Sequence, residues 1–368
     1  MLLIQTDRET LLKTLQSVTG IVERRHTLPI LSNVLLEGKN NSFSFTATDL
    51  EIQVKAESSE VKLDNNFAIT TSAKKLQDIL RALAEGTQIT LDQKDSKILV
   101  KAGKSRFNLQ SLPAEDFPKF PIVEEGEQAF EIPQKSFRNL LNEVQFAMAQ
   151  QDIRYYLNGM LVVIREEKIR MVATDGHRLS YAEATLETSG IDAEVIVPRK
   201  TVMELLRLLP DSEDKLLISI GKNQIKFSFN NVTLNSKIVE GKFPDYTKVI
   251  PEAYKNLFSV DRITLLQALQ RAAILSNEKF RGVRMVLTKD NVSLISSNSE
   301  QEEAQEEVEI QYDGDAIDIG FNVSYLLDVL NNINSPEIEC SFGDSNSSGV
   351  FTLPGNTTFK YVVMPMRI

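Results

Sequence analysis

The chain has 368 residues and a formal net charge of −10, with 42% hydrophobic and 25% charged residues. This length exceeds one hydrophobic core and predicts two or three domains of ordinary globular composition. The lone Cys340 excludes an internal disulfide, and its position in the strand-like "IECSF" indicates a small core residue. No secretory leader pattern and no run of about 18 apolar residues occurs, so we expect a cytoplasmic protein with no membrane partner.

The first third of the chain begins with a helical pattern. Asp7 or Thr6 is a candidate N-cap, leucines follow on a helical period, and Gly20 is a stop signal. A second helix, "KKLQDILRAL", follows the start signal Ser72. Alternating strands such as "KILVKAGKSRFNLQSL" come next, and "AEDFPKFPIVEEGE" reads as a linker.

The middle and last thirds show the same order of elements. In the middle third, "PQKSFRNLLNEVQFAMA" and "KTVMELLRLL" are the predicted helices, and Pro198 precedes the second. In the last third they are "DRITLLQALQRAAIL" and "VSYLLDVLNN", with Asn322 as the start signal. Strand patterns end both thirds, and a second linker-like segment, "EGKFPDYTKVIPEAY", lies between them.

Two sets of landmarks indicate an internal repeat of domain length. Leucine pairs begin at Leu11, Leu140 and Leu265, at intervals of 129 and 125 residues. Acidic residues centred in the second helices lie 126 and 124 residues apart, at Asp78, Glu204 and Asp328. The sequence therefore predicts three similar α+β domains, residues 1–127, 128–255 and 256–368, each with helices packed on one face of antiparallel sheet.

The sequence contains little material for catalysis. It has two histidines, one cysteine and none of the common nucleotide, zinc or serine-hydrolase motifs, so we expect no enzyme activity, no metal and no cofactor. The one reactive-looking cluster, "VATDGHRLSYA", contains Asp175, His177 and Arg178. Asp175 lies 126 residues after Asp49 of "TATDLEIQV", so the Thr-Asp pair is interpreted as a turn of the fold. An enzyme that uses this cluster is the competing hypothesis.

Charge is distributed unevenly along the chain. Acidic residues concentrate between Ser297 and Glu309, whereas the predicted second helices carry Lys74, Lys75, Arg81 and Arg207. These cations are either solvated helix faces or a locally positive surface suited to phosphates.

At this point the chain resembles the bacterial sliding clamps, the β subunits of DNA polymerase III. The segments that carry the resemblance span nearly the whole chain: "RRHTLPILSNVLL", "QDIRYYLNGM", "VATDGHRLS", "IVPRK", "GKFPDY", "RAAILSNEKFRGVR", "GFNVSYLLDVLN" and "YVVMPMRI".

The resemblance implies three DNA-clamp domains per chain and a head-to-tail homodimer, a six-domain ring with helices inside and sheets outside. It further implies a non-enzymatic processivity factor that encircles duplex DNA without reading its sequence. Its other expected partners are the catalytic subunit of DNA polymerase III, a clamp loader, and further polymerases and repair proteins that bind through short peptides. A peptide-binding adaptor that forms no ring is the second competing hypothesis.

The resemblance implies three sets of site residues. The first set contacts DNA: Arg25, Lys74, Gln151, Tyr155 and Tyr156. Lys74 stands where arginine is familiar in the family. Since adjacent aromatic residues cannot usually both point inward, we expect at least one of the two tyrosines to be exposed.

The second set forms a partner-peptide cleft between the middle and last domains: Leu157, Thr174, Gly176, His177, Arg178, Leu179, Pro244, Val249, Ser348, Val362, Val363, Met364, Pro365, Met366 and Arg367. The apolar ending "VVMPM" suits such a site, because methionines can repack around different ligands. A last strand docked into the core is the alternative.

The third set closes the ring. The resemblance implies that Phe107 and Leu109 meet Ile274 and Leu275 of the other subunit. Around them, Lys104 and Arg106 face an acidic group made of Glu300, Glu302, Glu303 and Glu306. Opposite charges in different thirds of the chain suit a heterologous contact. Gln305 interrupts the acidic run, so we expect somewhat weaker closure.

Overall fold

The computed structural model describes residues 1–23, 28–59, 61, 63, 65–120, 128–188, 190–251 and 254–368. The helices in these ranges are α1 Arg8–Val18, α2 Ala73–Ala82, α3 Gln134–Val144, α4 Arg199–Leu208, α5 Arg262–Ile274 and α6 Val323–Asn332. None of these helices is long and apolar enough to cross a membrane.

In the same described ranges, the strands fall into three successive groups of eight. The first group is β1 Leu2–Asp7, β2 Asn33–Lys39, β3 Ser42–Thr48, β4 Ile52–Ser58, β5 Phe67–Ser72, β6 Gln88–Lys94, β7 Lys97–Ala102 and β8 Ser105–Gln110. The second is β9 Gln128–Pro133, β10 Gly159–Arg165, β11 Lys168–Thr174, β12 Arg178–Thr185, β13 Ala193–Pro198, β14 Lys215–Ile220, β15 Gln224–Phe229 and β16 Val232–Lys237. The third is β17 Asn256–Asp261, β18 Gly282–Thr288, β19 Asn291–Ser297, β20 Glu303–Glu309, β21 Ile317–Asn322, β22 Glu337–Phe342, β23 Gly349–Leu353 and β24 Asn356–Val363.

The order of elements confirms a threefold α+β repeat. Helices α2, α4 and α6 begin 126 and 124 residues apart, which are the intervals that the acidic landmarks predict. Helices α1, α3 and α5 begin 126 and 128 residues apart, so the alignment of the leucine pairs was wrong by three residues. Leu140 occupies the position of Thr14 in its repeat, and both are buried. Because positions three apart lie on one helix face, leucine at either buries the same stripe.

The helix starts follow the predicted signals. The carboxylate of Asp7 accepts a hydrogen bond from the N–H of Thr10 at 2.8 Å and caps α1. Ser72 and Asn322 accept from backbone N–H groups in the first turns of α2 and α6. These side chains satisfy donors that would otherwise lack a partner at a helix start.

The chain divides into two compact units. The first contains residues 1–134 and 207–238, with antiparallel sheets ordered β1-β6-β7-β8 and β5-β2-β3-β4-β16-β15-β14-β9. The second contains residues 135–206 and 239–368, with antiparallel sheets ordered β13-β10-β11-β12-β24-β23-β22-β17 and β20-β19-β18-β21. Each eight-stranded sheet joins four strands of one repeat to four of the next, through the pairs β4·β16 and β12·β24.

Each unit has its own core under a sheet. Helix α1 packs on β3, β4 and α2 in the first unit, and α5 packs on β19, β20 and α6 in the second. Cys340 is fully buried, and burial raises the pKa of its thiol, so its predicted role as a core residue is confirmed.

Candidate functional site

The reactive-looking cluster is a hydrogen-bonded turn between β11 and β12. The Thr174 hydroxyl donates to the carbonyl of Arg178 at 2.6 Å and accepts from the N–H of Gly176 at 3.0 Å. One oxygen of Asp175 accepts from the N–H groups of His177 and Arg178, at 2.9 and 3.1 Å. The other oxygen accepts from the Arg178 guanidinium at 3.1 Å. Asp175 is therefore engaged in holding the turn.

The first repeat has the same turn. The hydroxyl of Thr48 donates to the carbonyl of Ile52, and Asp49 accepts from the N–H groups of Glu51 and Ile52. This correspondence confirms the interpretation of the Thr-Asp pair as a device of the fold. Among the described residues, no group of three or more histidines, cysteines, aspartates or glutamates could hold a metal ion.

The two turns differ at the residue with positive φ. Leu50 has φ 79° in the first repeat, whereas Gly176 has φ 91° in the second. A Cβ atom on Gly176 would lie 3.1 Å from the guanidinium nitrogens of Arg154. Glycine therefore lets Arg154 lie close over this turn.

Arg154 is held in this position by its neighbours. Its guanidinium donates twice to Asp152, at 3.0 and 2.9 Å, and once to the carbonyl of Asp175 at 3.2 Å. The hydrogen bond from Arg154 lowers the pKa of Asp152 to about 2. This paired geometry fixes the direction of Arg154.

Arg178 borders the same turn and is tied to the last repeat. Its guanidinium donates to Asp328 at 2.6 Å and to the carbonyl of Phe146 at 2.7 Å. It also lies over the ring of Tyr325, 4.4 Å from the centroid. Burial opposes the charge of Arg178, yet its anionic and hydroxyl partners together raise its pKa. The side chain is therefore a fixed cation between β12 and α6.

Around these residues lies a cavity of about 440 Å³ in the second unit. Its floor is apolar and belongs to the buried cluster that contains Leu157, Leu179 and Val362. Val249 and Met364 are partly exposed beside it. An apolar floor bordered by a few fixed polar groups is typical of a site for a small ligand or a peptide side chain.

The structure brings eleven of the fifteen predicted cleft residues to this cavity: Leu157, Thr174, Gly176, His177, Arg178, Leu179, Pro244, Val249, Ser348, Val362 and Met364. It adds four residues that were not predicted for the cleft: Arg154, Tyr156, Phe243 and Tyr246. All four lie in segments that carried the resemblance, Arg154 and Tyr156 in "QDIRYYLNGM" and Phe243 and Tyr246 in "GKFPDY", so the signal was present. Peptide binding by this cavity stays a prediction.

Four predicted cleft residues do not line the cavity: Val363, Pro365, Met366 and Arg367. Val363 is fully buried, because strand alternation turns its side chain to the face opposite Val362. The N–H of Met366 donates to the carbonyl of Gly320 at 2.8 Å, so the chain after Met364 runs along β21. These four residues therefore lie outside the cavity itself, and their part in peptide binding stays a prediction.

Of the predicted DNA contacts that the structure describes, three side chains are exposed and one packs against the cleft. Lys74 is exposed in the first turn of α2, beside a polar cavity of about 500 Å³ in the first unit. Gln151 is exposed with φ 56°, and Tyr155 is 57% exposed. Tyr156 packs against the cleft cluster instead, so one tyrosine of the pair is exposed and the other belongs to the cleft. Arg25 lies outside the described residues.

The predicted ring-closing residues lie on and beside two sheet edges. In the first unit, β8 ends its four-stranded sheet; it carries Arg106, Phe107 and Leu109, and Lys104 precedes it. In the second unit, β20 ends its sheet; it carries Glu303 and Glu306, and Glu300 and Glu302 precede it. Ile274, at the end of α5, is 76% exposed, and Leu275 follows it half-buried.

Glu306 differs from the other acidic residues of this group. Its carboxylate accepts two hydrogen bonds from Arg271 of the same chain, at 2.9 and 2.7 Å, which lowers its pKa. This carboxylate is therefore already paired within the chain, whereas Glu300, Glu302 and Glu303 are exposed.

Three copies of one α+β unit, joined edge to edge in continuous antiparallel sheets and carrying an apolar cleft, define a protein of the DNA-clamp class. Family models for the N-terminal, central and C-terminal domains of the DNA polymerase III beta subunit match residues 2–121, 131–245 and 247–367. The beta sliding clamp of Pseudomonas putida is 45% identical over 364 residues, which are 98% of each chain.

Solved structures agree with this result. The crystal structure of the DNA polymerase III subunit beta from Pseudomonas aeruginosa matches with a TM-score of 0.95 and 45% identity over the whole of both chains. A sliding clamp of the same organism bound to griselimycin matches with a TM-score of 0.94 and 45% identity, again over both whole chains. The chain belongs to the DNA polymerase III beta subunit family. It is a DNA sliding clamp, the processivity factor that tethers the replicative polymerase to duplex DNA.

Proposed function

We propose that two copies of the chain close head to tail into a ring of six domains around duplex DNA, and that the cleft binds short peptides of the proteins that use the ring. The domains are residues 1–127, 128–255 and 256–368. The clamp acts in the cytoplasm and catalyses no reaction itself. One observation carries the proposal. Strands β8 and β20 are unpaired sheet edges in this chain, whereas the corresponding strands of the other repeats pair with each other.

The repeat shows which edges are unusual. Strands β1, β9 and β17 end a sheet in every repeat, and so do β5, β13 and β21. By contrast, the counterparts of β8 are β16 and β24, which pair with β4 and β12. The strand that corresponds to β4 and β12 in the last repeat is β20. A second copy that pairs β20 with β8 therefore repeats a junction that the chain already makes twice.

The register of the two internal junctions predicts the register of the third. Val54 pairs with Leu234, and Ser180 pairs with Tyr361. In the repeat, Ala304 of β20 corresponds to Val54 and Ser180, and Phe107 of β8 corresponds to Leu234 and Tyr361. The third junction should therefore pair Ala304 with Phe107, Glu303 with Asn108 and Gln305 with Arg106.

Burial supports this register. Leu234 and Tyr361 are fully buried at the internal junctions, whereas their counterpart Phe107 is half-buried in the single chain. Pairing of β8 with β20 would cover Phe107 and the exposed Ile274, so apolar burial favours closure. An unpaired edge strand is otherwise a site of uncontrolled association.

Charge supports the same contact. Lys104 and Arg106 are exposed at one edge, and Glu300, Glu302 and Glu303 are exposed at the other. Opposite charges on different ends of a chain favour a heterologous contact, and two such contacts close a dimer. Glu306 contributes less to this attraction, because Arg271 already pairs with it.

A closed ring also explains how a chain of net charge −10 can act on DNA. Topology retains the ring, so contacts such as those of Lys74, Gln151 and Tyr155 need only be weak and sensitive to salt. Arg25 belongs to the same proposed set.

The cleft would receive an extended peptide with apolar side chains. Its floor is apolar, and the fixed guanidinium of Arg154 can bind carbonyl or carboxylate oxygens of the peptide. The related Pseudomonas aeruginosa clamp bound to griselimycin supports ligand binding by this type of protein. The proposed partners are the catalytic subunit of DNA polymerase III, a clamp loader, and other polymerases and repair proteins.

The ring is tested by loading the clamp onto nicked circular DNA with a clamp loader and ATP. We expect the clamp to stay on the circle at a salt concentration that removes non-specific binders, and to leave when a restriction enzyme linearises the DNA. A clamp that stays on the linear product, or that never survives the salt wash on the circle, contradicts topological retention.

A further inference from the structure

We propose that Arg81 seals the ring by capping the C-terminal end of α5 in the other subunit, where its guanidinium donates to the carbonyls of the partner's Gln270 and the partner's Arg271. This inference rests on the proposed ring and assigns a role to a residue outside the predicted interface. The last four carbonyls of a helix lack helical partners and carry a negative partial charge, so a guanidinium there is favourable. In α5 the Arg271 carbonyl is one of these four, whereas the Gln270 carbonyl precedes them and would accept from Arg81 with its second lone pair.

The contact already exists once inside the chain. Arg207, in the last turn of α4, donates to the carbonyl of Gln16 at 3.2 Å and to the carbonyl of Ser17 at 2.8 Å. Both acceptors lie in the last turn of α1. This arginine therefore fastens the second helix of one repeat to the end of the first helix of the preceding repeat.

Arg81 holds the position of Arg207 in its own repeat. Arg81 lies eight residues after the first residue of α2, and Arg207 lies eight residues after the first residue of α4. The acceptors correspond in the same way. Gln16 lies eight residues after the start of α1, and Gln270 lies eight residues after the start of α5.

The second internal junction shows that this helix contact is general. The amide of Gln145, just after α3, donates to the side-chain oxygen of Asn332 at the end of α6. Here too the end of a second helix meets the end of the first helix of the preceding repeat. Only the chemistry differs, because Asn331 stands at the position of Arg81 and Arg207. Ring closure would bring α2 and the partner's α5 together in the same arrangement.

Arg81 is available for this contact. Its own helix end is capped by Arg8, which donates to the carbonyl of Leu80 at 2.8 Å. The Arg81 side chain is exposed, and in the part of the chain that the structure describes its guanidinium has no hydrogen bond or ion pair. Its charge is therefore not used inside the domain.

The acceptors are available as well. Side chains of the same subunit already donate to the next two carbonyls of α5, Ser296 to Ala272 and Ser276 to Ala273. Within the described ranges, no side chain donates to the carbonyls of Gln270 and Arg271. The Arg271 carbonyl lies in the last turn of α5, and the Gln270 carbonyl has one lone pair left beside its helical hydrogen bond. The guanidinium of Arg271 binds Glu306, so its charge is paired and does not repel an incoming arginine.

The competing role for Arg81 is a DNA contact, since it borders the same polar cavity as Lys74. A measurement of dimer dissociation without DNA separates the two roles. We expect Arg81→Gln to raise the dimer dissociation constant about tenfold or more, which is the loss expected for hydrogen bonds from a charged group. Lys13→Gln removes an exposed cation from α1 of the same domain and is the matched control, with no expected change.

Dilution of a fluorescently labelled dimer gives the dissociation constant, and subunit exchange between two labelled pools gives the dissociation rate. Circular dichroism checks that the Arg81→Gln chain is folded, as its exposed position predicts. An unchanged dissociation constant for Arg81→Gln, with Leu275→Asp giving monomers, would overturn the cap and leave the ring in place. If Leu275→Asp also leaves the dimer intact, the proposed ring interface itself is wrong.

Discussion

Arg178 and Asp328 form an ion pair whose nitrogen and oxygen are 2.6 Å apart, and this pair joins strand β12 to helix α6. The Arg178 side chain is 9% exposed and the Asp328 side chain is 42% exposed. Because the guanidinium is buried beside the cleft, its partners hold both the cleft wall and the contact between the middle and last repeats. Removal of one partner leaves a buried charge with fewer hydrogen bonds.

We therefore expect Asp328→Asn to lower the free energy of unfolding by about 1 to 2 kcal/mol, less than for a fully buried pair because Asp328 is partly exposed. Asp192→Asn is the matched control, since its ion pair with Arg165 is exposed on both sides and should contribute about 0 to 1 kcal/mol. Thermal unfolding of both variants measures the difference. Equal losses for the two would show that burial gives Arg178 no special dependence on Asp328.

Gly176 offers a test of the cleft wall. Gly176→Ala places a methyl group 3.1 Å from the Arg154 guanidinium and forces alanine into a left-handed conformation. We expect weaker binding of a fluorescent partner peptide, by about tenfold, and a loss of about 1 kcal/mol in stability.

Gly355→Ala is the control for backbone strain. Gly355 also has a positive φ, 70°, but a Cβ atom there would meet nothing within 4 Å. It should show a similar loss of stability with unchanged peptide affinity. If both variants bind the peptide as the parent does, crowding of Arg154 has no part in binding.

The sequence predicted the helices and their repeat well because each helix carries its own start signal and hydrophobic period, and these recur at fixed intervals. Caps such as Asp7, and the acidic landmarks at 126 and 124 residues, report directly on helix starts and domain length. The leucine pairs failed as markers because Leu140 and Thr14 occupy equivalent buried positions, and either residue can fill that stripe. Hydrophobic periodicity fixes which face of a helix is buried but not which repeat position each leucine occupies.

The cleft was predicted less completely because its walls are assembled from distant segments. Arg154 reaches the site through its hydrogen bond to the carbonyl of Asp175, 21 residues away, a contact that no local pattern records. The exclusion of Val363, by contrast, was available from strand alternation once Val362 was placed in the cleft. The resemblance named Phe107 for the ring-closing contact, but that its strand β8 ends a sheet is known only from the sheet order of the structure.

Glu143 predicts a pH dependence of stability. This half-buried carboxylate on α3 has no hydrogen-bond donor among the described residues, and burial raises its pKa from 4.5 to about 7. The folded chain thus binds this proton more tightly than the unfolded chain. Stability should fall as the pH rises between about 4.5 and 7, and the loss should persist above that range.

Glu143→Gln removes this penalty. We expect the variant to be more stable than the parent at pH 8, by about 1 to 3 kcal/mol, and similar to it at pH 5. Thermal unfolding at the two pH values measures the difference in stability. Glu187→Gln, at an exposed position of the same repeat, is the control. A gain of the same size at pH 5 would mean that the carboxylate charge is not the cause.

The C-terminal residues separate binding from packing. Met364 borders the cleft, whereas Met366 bonds to β21 and the Ile368 side chain lies over Gly282 and Gly320. Deletion of residues 364–368 would therefore remove a cleft residue and a packed segment together.

Point variants distinguish the two effects. Met364→Ala should weaken peptide binding by about tenfold with little change in melting temperature, because the methionine is half exposed in the unbound chain. Ile368→Ala should lower the free energy of unfolding by about 0.5 to 1 kcal/mol, since it is largely exposed, and leave peptide affinity unchanged. Fluorescence anisotropy with a labelled peptide and thermal unfolding give the two readouts. Loss of peptide affinity in Ile368→Ala would show that the tail on β21 shapes the cleft, contrary to the separation of roles argued from Met364 and Met366.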